Sequence, residues 1–235
     1  MSEALYKFGG LRFWNEREIM LREQATSRLA DTVRRTLLGV NRAWAFQRIE
    51  GPLITPQAYI SEAYTGDDIW MLQAGLGEGG ASMRPETTAS SYVAARRLLE
   101  THAEKLPLCV WQSGKSFRRE QNDGASASKL RFYEFYQLEF QCIHAIDTKA
   151  DLRTPIIAAI GNEIASIVNR PSRVVASDRL PAYSEITEDI EVERFNGRWT
   201  EMCSISTRTD FAGARVLEIA IGLDRLVSVC GETHP

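Results

Sequence analysis

The sequence predicts an α+β fold, an antiparallel β-sheet flanked by helices, and three observations predict it. Strand-like segments come in runs joined by short turns, which suits antiparallel pairing, whereas a βαβ fold needs a crossover between strands. Helical periodicity is confined to four separate stretches. The 235 residues contain no repeat, no low-complexity tract and no obvious linker, so a single domain over 1–235 is expected.

The elements follow in order. From Asn15 to Leu38, Ile19, Leu21, Ala25, Leu29, Val33 and Leu37 recur at near-helical spacing among Arg and Glu, with Gly39 as the stop. "AWAFQRIEGPLIT" alternates as a strand, and Pro52 marks its end or an edge. "GLGEGG" (75–80) reads as a loop and not as a phosphate-binding fingerprint, because no strand–turn–helix context surrounds it. A helix begins near Thr88 and ends before Pro107. "PLCVWQSGKSFRRE" and "LRFYEFYQLEFQCIHAI" are two strands joined by the turn-rich "QNDGASAS". "TPIIAAIGNEIASIVNR" is a helix with Pro155 near its first turn. "DIEVERF", "TEMCSISTRTDF" and "VLEIAIG" are strands, and "GLDRLVSVC" is a helix opening at Gly222.

Composition narrows the function classes. Apolar content of 44% and charged content of 25% are ordinary for a globular protein, and a net charge of −3 excludes a generally basic coat for nucleic acid. A local basic groove is still allowed. No apolar run approaches ~18 residues and the N-terminus lacks a signal pattern, so a cytoplasmic protein with no membrane partner is expected. Cys109, Cys142, Cys203 and Cys230 form no CxxC pair and the three histidines show no ligand spacing, which favours free or buried thiols over a zinc site.

The densest chemistry lies between Lys115 and Phe140. Strand alternation puts Arg131, Tyr133 and Phe135 on one face with Gln137 and Glu139, opposite Arg118. Rings stack on a base and guanidinium forks clamp phosphate oxygens, while Glu120 can accept from an exocyclic amine. A salt-bridged surface hairpin with its aromatics turned into the core explains the same spacing.

The motifs add a resemblance. "FRRE…RFYEF" resembles the second signature motif of class II aminoacyl-tRNA synthetases, and "VLEIAIGLDRL" resembles the third, closing on Gly222 and Arg225. "AFQRIEGPLI" is similar to the weaker first motif, with Pro52 as its proline. "RPETT", "LPLCVWQSGKSFRRE", "EFYQLEF", "AYSEITEDIE" and "RWTEMCSISTRTDF" resemble, in order, stretches of homodimeric glycyl-tRNA synthetases, from about Trp44 to Leu226. The resemblance implies a class II synthetase-like sheet and an enzyme that uses ATP with Mg²⁺. Arg118 would contact the α-phosphate, Glu120 the adenine amine, Phe135 the ring face, Arg131 the outer phosphates, and Arg225 the other side of the nucleotide. Glu86, Glu139 and Glu218 would surround the amino-acid ammonium and Arg208 would face its carboxylate. Glu218 is alternatively a Mg²⁺ ligand.

Two departures bear on substrate and acceptor. Where the family has "EPS" this chain has "EIA", so Ala220 removes a hydroxyl and widens the expected choice to glycine, alanine, serine or another small amino acid. "RPETT" continues "ASSY" where the family has "AQG". Family synthetases continue into an anticodon-binding domain, which is expected to be lacking here, and the turn "QNDGASASK" offers only Lys129 to phosphates. The leading expectation is therefore amino-acid adenylation by a homodimer, with transfer to a carrier protein, small amine or modified macromolecule. A second reading keeps tRNA as acceptor, with a partner supplying the missing domain. A third is a non-catalytic accessory subunit, which should have lost Arg118, Arg131 and Arg225.

Overall fold

In the computed structural model, which describes residues 7–8, 10–60, 64–72, 80–101, 105–120, 124–126 and 128–232, helix and strand positions follow from local sequence chemistry. A short hairpin, β1 (Lys7–Phe8) and β2 (Leu11–Arg12), precedes α1 (Glu16–Val40). Asn15 caps α1: its side chain accepts from the Glu18 N–H at 2.9 Å, and the Glu18 carboxylate accepts from the Asn15 N–H at 3.1 Å. The expected stop at Gly39 is not used. Val40 packs against the core and Asn41 forms the cap, so Gly39 is an exposed helical residue.

The strand expected over "AWAFQRIEGPLIT" is two strands in two sheets. β3 (Ala45–Arg48) joins the main sheet, and β4 (Ile54–Pro56) joins a three-stranded sheet with β5 (Met71–Leu72) and β6 (Ala81–Met83), in the order β4-β6-β5. Pro52, with no N–H for a ladder, lies in the break. Most of the predicted "GLGEGG" loop, 75–79, lies outside the described residues. Helix α2 (Thr88–Thr101) begins where expected. Next come β7 (Leu108–Phe117), β8 (Glu134–His144), α3 (Arg153–Val168), β9 (Ser172–Ala176), β10 (Ser184–Glu193), β11 (Trp199–Arg208), β12 (Arg215–Gly222) and α4 (Leu223–Cys230).

The main sheet has the order β3-β7-β8-β12-β11-β10-β9. It is antiparallel except for β3, which runs parallel to β7 at one edge. The fold is α+β, as the strand runs predict. β8 starts later than the sequence suggests. Leu130 takes a left-handed φ of 51°, and Arg131 pairs with Ser126 as an isolated bridge, so residues 131–133 belong to the turn. The expected face-sharing of Arg131 and Tyr133 with Phe135 is thus not a strand alternation. From Glu134 onward the alternation holds.

One sheet face is apolar. Leu138, Phe140, Ile205, Ile219 and Ile221 pack there against Leu29 and Leu37 of α1, Ile160 and Ile164 of α3, and Leu226 of α4. The other face is divided. Near β7 it is covered by α2 through Tyr92 and Ala95, which meet Leu108, Val110, Ile143 and Val216. The remainder is polar and open, because Phe135, Gln137, Glu139 and Gln141 point there from β8 while their neighbours point into the core. Cys109, Cys142, Cys203 and Cys230 are free thiols; Cys109 and Cys142 are register partners with their Sγ atoms 3.7 Å apart. Among the described residues no helix is long and apolar enough to cross a membrane.

Candidate active site

The polar half of the sheet is the floor of a cavity of about 540 Å³. Register sets the floor row by row. Glu139 pairs with Ala220, Ala220 with Ser204, and Ser204 with Asp189. In the adjoining row Gln141 pairs with Glu218 and Glu218 with Ser206. Nine of the ten residues picked from the sequence line this one cavity: Arg118, Glu120, Arg131, Phe135 and Arg225 with Glu86, Glu139, Glu218 and Ala220.

The cationic end is built from the β7–β8 hairpin and the start of α4. The Arg118 guanidinium lies 5.2 Å from the Phe135 ring centre and 5.4 Å from that of Tyr64. It donates from Nε to the Pro85 carbonyl at 3.1 Å and from NH2 to the Tyr64 hydroxyl at 3.0 Å. Arg131 approaches Glu120 at 3.8 Å. Arg225 donates to the Glu201 carbonyl at 3.0 Å and pairs with its carboxylate at 3.1 Å. Three guanidiniums, two carboxylates and the Phe135 and Tyr64 rings surround a space open to solvent, which suits a flat, anionic ligand.

The acidic end is buried. Glu139 is 1% exposed, and its Oε1 accepts from Thr88 Oγ1 and Gln141 Nε2, both at 2.7 Å. The same Gln141 nitrogen donates to Glu218 Oε2 at 2.8 Å, and Arg208 donates to that oxygen at 2.6 Å. Burial, reinforced by the charges of Glu218 and Glu86, pushes the Glu139 carboxyl up to about 7. Burial also raises Glu86, whose Oε2 accepts from the Tyr64 hydroxyl at 2.8 Å. Acids crowded this way favour a ligand that brings positive charge.

Arg208 is the one predicted residue that does not line this cavity. It is 1% exposed, held by Asp210 at 2.6 and 3.1 Å and by Glu218. Its plane lies 3.9 Å from the Tyr183 ring centre. Burial works against its charge, yet Glu218 and Asp210 outweigh that and raise its pKa. Its NH1 contact is with the Glu218 carboxylate. That contact also bears on Mg²⁺, since a cation at Glu218 would meet the Arg208 guanidinium. Among the described residues no group of three or more His, Cys, Asp or Glu side chains could hold a metal ion. Glu218 Oε2 is engaged by Arg208, Gln141 and Thr88 in this structure.

Sequence reading missed four side chains that hold the site. Thr88 and Arg84 stand within or beside the quoted "RPETT", where only Glu86 was singled out. Arg84, 2% exposed, donates to Lys115 O at 2.7 Å and Gly51 O at 2.9 Å, pinning the segment before Glu86 to β7. Gln141 was within reach of the period-two rule, two residues beyond Glu139. Tyr64 carried no sequence signal. It matters because its hydroxyl joins Arg118 to Glu86, one group from each end of the cavity.

Comparison with known proteins fits this geometry. No family model matches. A glycine–tRNA ligase of Staphylococcus saprophyticus is 32% identical over 131 residues, which is 55% of this chain and 28% of that protein. One of Geobacillus kaustophilus is 31% identical over 141 residues, 58% of this chain and 30% of that protein. The chain matches less than a third of the length of these curated relatives. Among solved structures, prolyl-tRNA synthetase from Cryptosporidium parvum, complexed with halofuginone and AMPPNP, superposes with a TM-score of 0.70 over 94% of this chain and 47% of that one, at 15% identity. The chain has the fold of a class II aminoacyl-tRNA synthetase catalytic core. Giardia lamblia prolyl-tRNA synthetase in complex with prolyl-adenylate gives the same TM-score at 16% identity, covering 48% of that chain. At such identities the class II core is shared as a backbone, and the similarity to glycine–tRNA ligases is carried by the sequence.

Proposed function

We propose that this class II core activates a small amino acid with ATP, forming an aminoacyl-adenylate and pyrophosphate. The observation that carries the reading is the single cavity whose two ends differ in charge, arginines and a ring at one and three carboxylates at the other. The nucleotide lies at the first end. Phe135 and Arg225 flank the adenine, Glu120 accepts from its amine, Arg131 meets the outer phosphates, and Arg118 the α-phosphate. The amino-acid ammonium lies among Glu86, Glu139 and Glu218. Arg208 acts behind Glu218, holding its carboxylate in place. The carboxylate oxygen of the amino acid attacks the α-phosphorus in line, and the bond to pyrophosphate breaks. No protein nucleophile is needed, because alignment and neutralisation of charge lower the barrier. Mg²⁺ would arrive with the ATP phosphates as part of that substrate.

Tyr64 belongs to the same reading. Its hydroxyl donates to Glu86 and accepts from Arg118, so it fixes the distance between the ammonium site and the α-phosphate site. Ala220, on the floor beside Glu139, leaves room for a small side chain and points to glycine, alanine or serine. The acceptor we favour is not ordinary tRNA, since the turn 121–129 carries one basic residue, Lys129, and polyanion affinity rises with the phosphates neutralised. Transfer to tRNA is the second reading, favoured by the names of the curated relatives. A non-catalytic role is disfavoured by the retention of Arg118, Arg131 and Arg225 around one cavity. Amino-acid-dependent exchange of pyrophosphate into ATP tests the reading. Exchange lost in Arg118→Ala with the fold intact supports it, and no exchange with any amino acid overturns it.

A further inference from the structure

Gly10 and Arg12 reach the backbone behind the cationic end without lining the cavity. At the turn of the β1–β2 hairpin, the Gly10 carbonyl accepts from the Tyr133 N–H at 3.0 Å, and the Tyr133 carbonyl accepts from the Arg118 N–H at 2.9 Å. The backbone bearing Arg118 is thus braced from the N-terminus through one intervening residue, Tyr133. Gly10 is required there. Its φ is +84°, and a Cβ would meet Ala125 at 2.7 Å and the Tyr133 ring at 2.8 Å.

Two residues on, Arg12 is 6% exposed, deeper than any arginine on a surface brace needs to be. Its NH1 donates to the Asp224 carbonyl at 2.6 Å and to Ser228 Oγ at 2.8 Å, both in α4, and its NH2 to Glu18 at 2.7 Å. The guanidinium also lies 4.1 Å from the Trp14 ring centre and 5.8 Å from that of Phe132, which lines the cavity. Asp224 in turn accepts from the Tyr136 N–H at 2.5 Å. Asp224 precedes Arg225, Phe132 follows Arg131, and Tyr136 follows Phe135. One buried cation therefore holds, directly or through Asp224, the neighbours of three of the five residues assigned to the nucleotide, Arg225, Arg131 and Phe135.

We propose that Arg12 is a positioning residue for the nucleotide, setting the spacing between the α4 side and the hairpin side of its site. This rests on the functional reading above. Arg12 NH1 also lies 3.6 Å from Asp224 Oδ1, so removing Arg12 takes from the buried Asp224 its ion-pair partner and leaves only the more distant charge of Arg22. Truncating one partner of a buried pair costs far more than the pair contributes. Burial already pushes the Asp224 carboxyl up to about 6, with Arg12 opposing it. The α4 start then shifts to hydrate Asp224, carrying Arg225 with it. Arg12 itself bonds to Asp224, Ser228 and Glu18 and not to the carboxylates of the amino-acid end, which keep their geometry.

The test uses Arg12→Met, which keeps the apolar stem, Arg12→Lys, which keeps the charge, and Arg12→Met with Asp224→Asn, which removes the stranded carboxylate. In amino-acid-dependent pyrophosphate exchange, Arg12→Met should raise the KM for ATP about tenfold and leave the KM for the amino acid within about twofold, since sub-ångström misplacement is enough for losses of this order. Arg12→Lys and the double variant should each recover part of the loss. A folded Arg12→Met with an unchanged KM for ATP, or with both KM values raised alike, overturns the proposal. If Arg12→Met does not fold, Arg12→Lys alone decides by the same split. Amide hydrogen exchange without any nucleotide separates this inference from the parent reading. Faster exchange at 130–136 together with 222–226 in the variant supports the brace even if the wild type shows no pyrophosphate exchange. Unchanged protection in both segments overturns it.

Discussion

Glu139 has the clearest consequence at the scale of one residue. Its carboxyl is raised to about 7 when folded, from the ordinary carboxylate range near 4.5, with burial as the largest cause. Between those values the folded state keeps a proton that the unfolded chain has released. Stability therefore falls as pH rises through the window and stays lowered above pH 7. Glu139→Gln keeps the acceptor for Thr88 and Gln141 and removes the buried charge. It should raise unfolding free energy by on the order of 2–3 kcal/mol at pH 8, with the gain vanishing near pH 5. Urea denaturation at the two pH values measures this, and a pH-independent gain would show that another group titrates. The same ionisation affects binding. An ammonium is held best by ionised Glu139, so the wild-type KM for the amino acid should fall about tenfold from pH 6 to pH 8, and the profile should flatten in Glu139→Gln. Tyr64→Phe removes a hydroxyl but leaves the ring beside Arg118. We expect kcat to drop between about 10- and 100-fold with smaller changes in both KM values, because two substrates would bind without being aligned.

Among the elements, the β7–β8 hairpin shows what sequence made legible. Period-two patterning placed Phe135, Gln137 and Glu139 on one face, and the structure agrees. Patterning failed at Arg131 because the strand pattern of rings and charges continues across a turn where Leu130 has a left-handed backbone. A side chain's local type says nothing of such a φ. Edge strand β9 was invisible for a different reason, since "SRVVA" is short and leans on β10 for its register. Joint motifs recovered nine of the residues that line the cavity, whereas Tyr64, Arg84 and Gln141 act by packing partners far along the chain. At β7 the close approach of Arg84 depends on Gly114, where any Cβ would collide with the guanidinium. Gly114→Ala should lower stability by about 1–3 kcal/mol and weaken amino-acid binding through Glu86, since the segment 84–86 hangs from that contact. Thermal unfolding with exchange kinetics checks both. On the opposite face Leu29→Ala, fully buried under the sheet, should cost about 2–5 kcal/mol without changing either KM.

For the whole molecule, the sheet separates two tasks. Its apolar face, packed on α1, α3 and α4, holds the strands in register, and register in turn sets the rows Glu139–Ala220–Ser204–Asp189 and Gln141–Glu218–Ser206 across the polar face. Because a slip of one residue would turn each of these side chains into the core, the site is as specific as the register. We further propose that two copies associate about a twofold axis, through the segment resembling the first synthetase motif. Light scattering should give twice the mass of the chain, and a monomer would contradict it. The central claim is adenylation in the two-ended cavity, and amino-acid-dependent exchange of labelled pyrophosphate into ATP tests it most directly. The account predicts exchange with glycine, alanine or serine that disappears in Arg118→Ala. Absence of exchange with every amino acid, or undiminished exchange in Arg118→Ala, would contradict it.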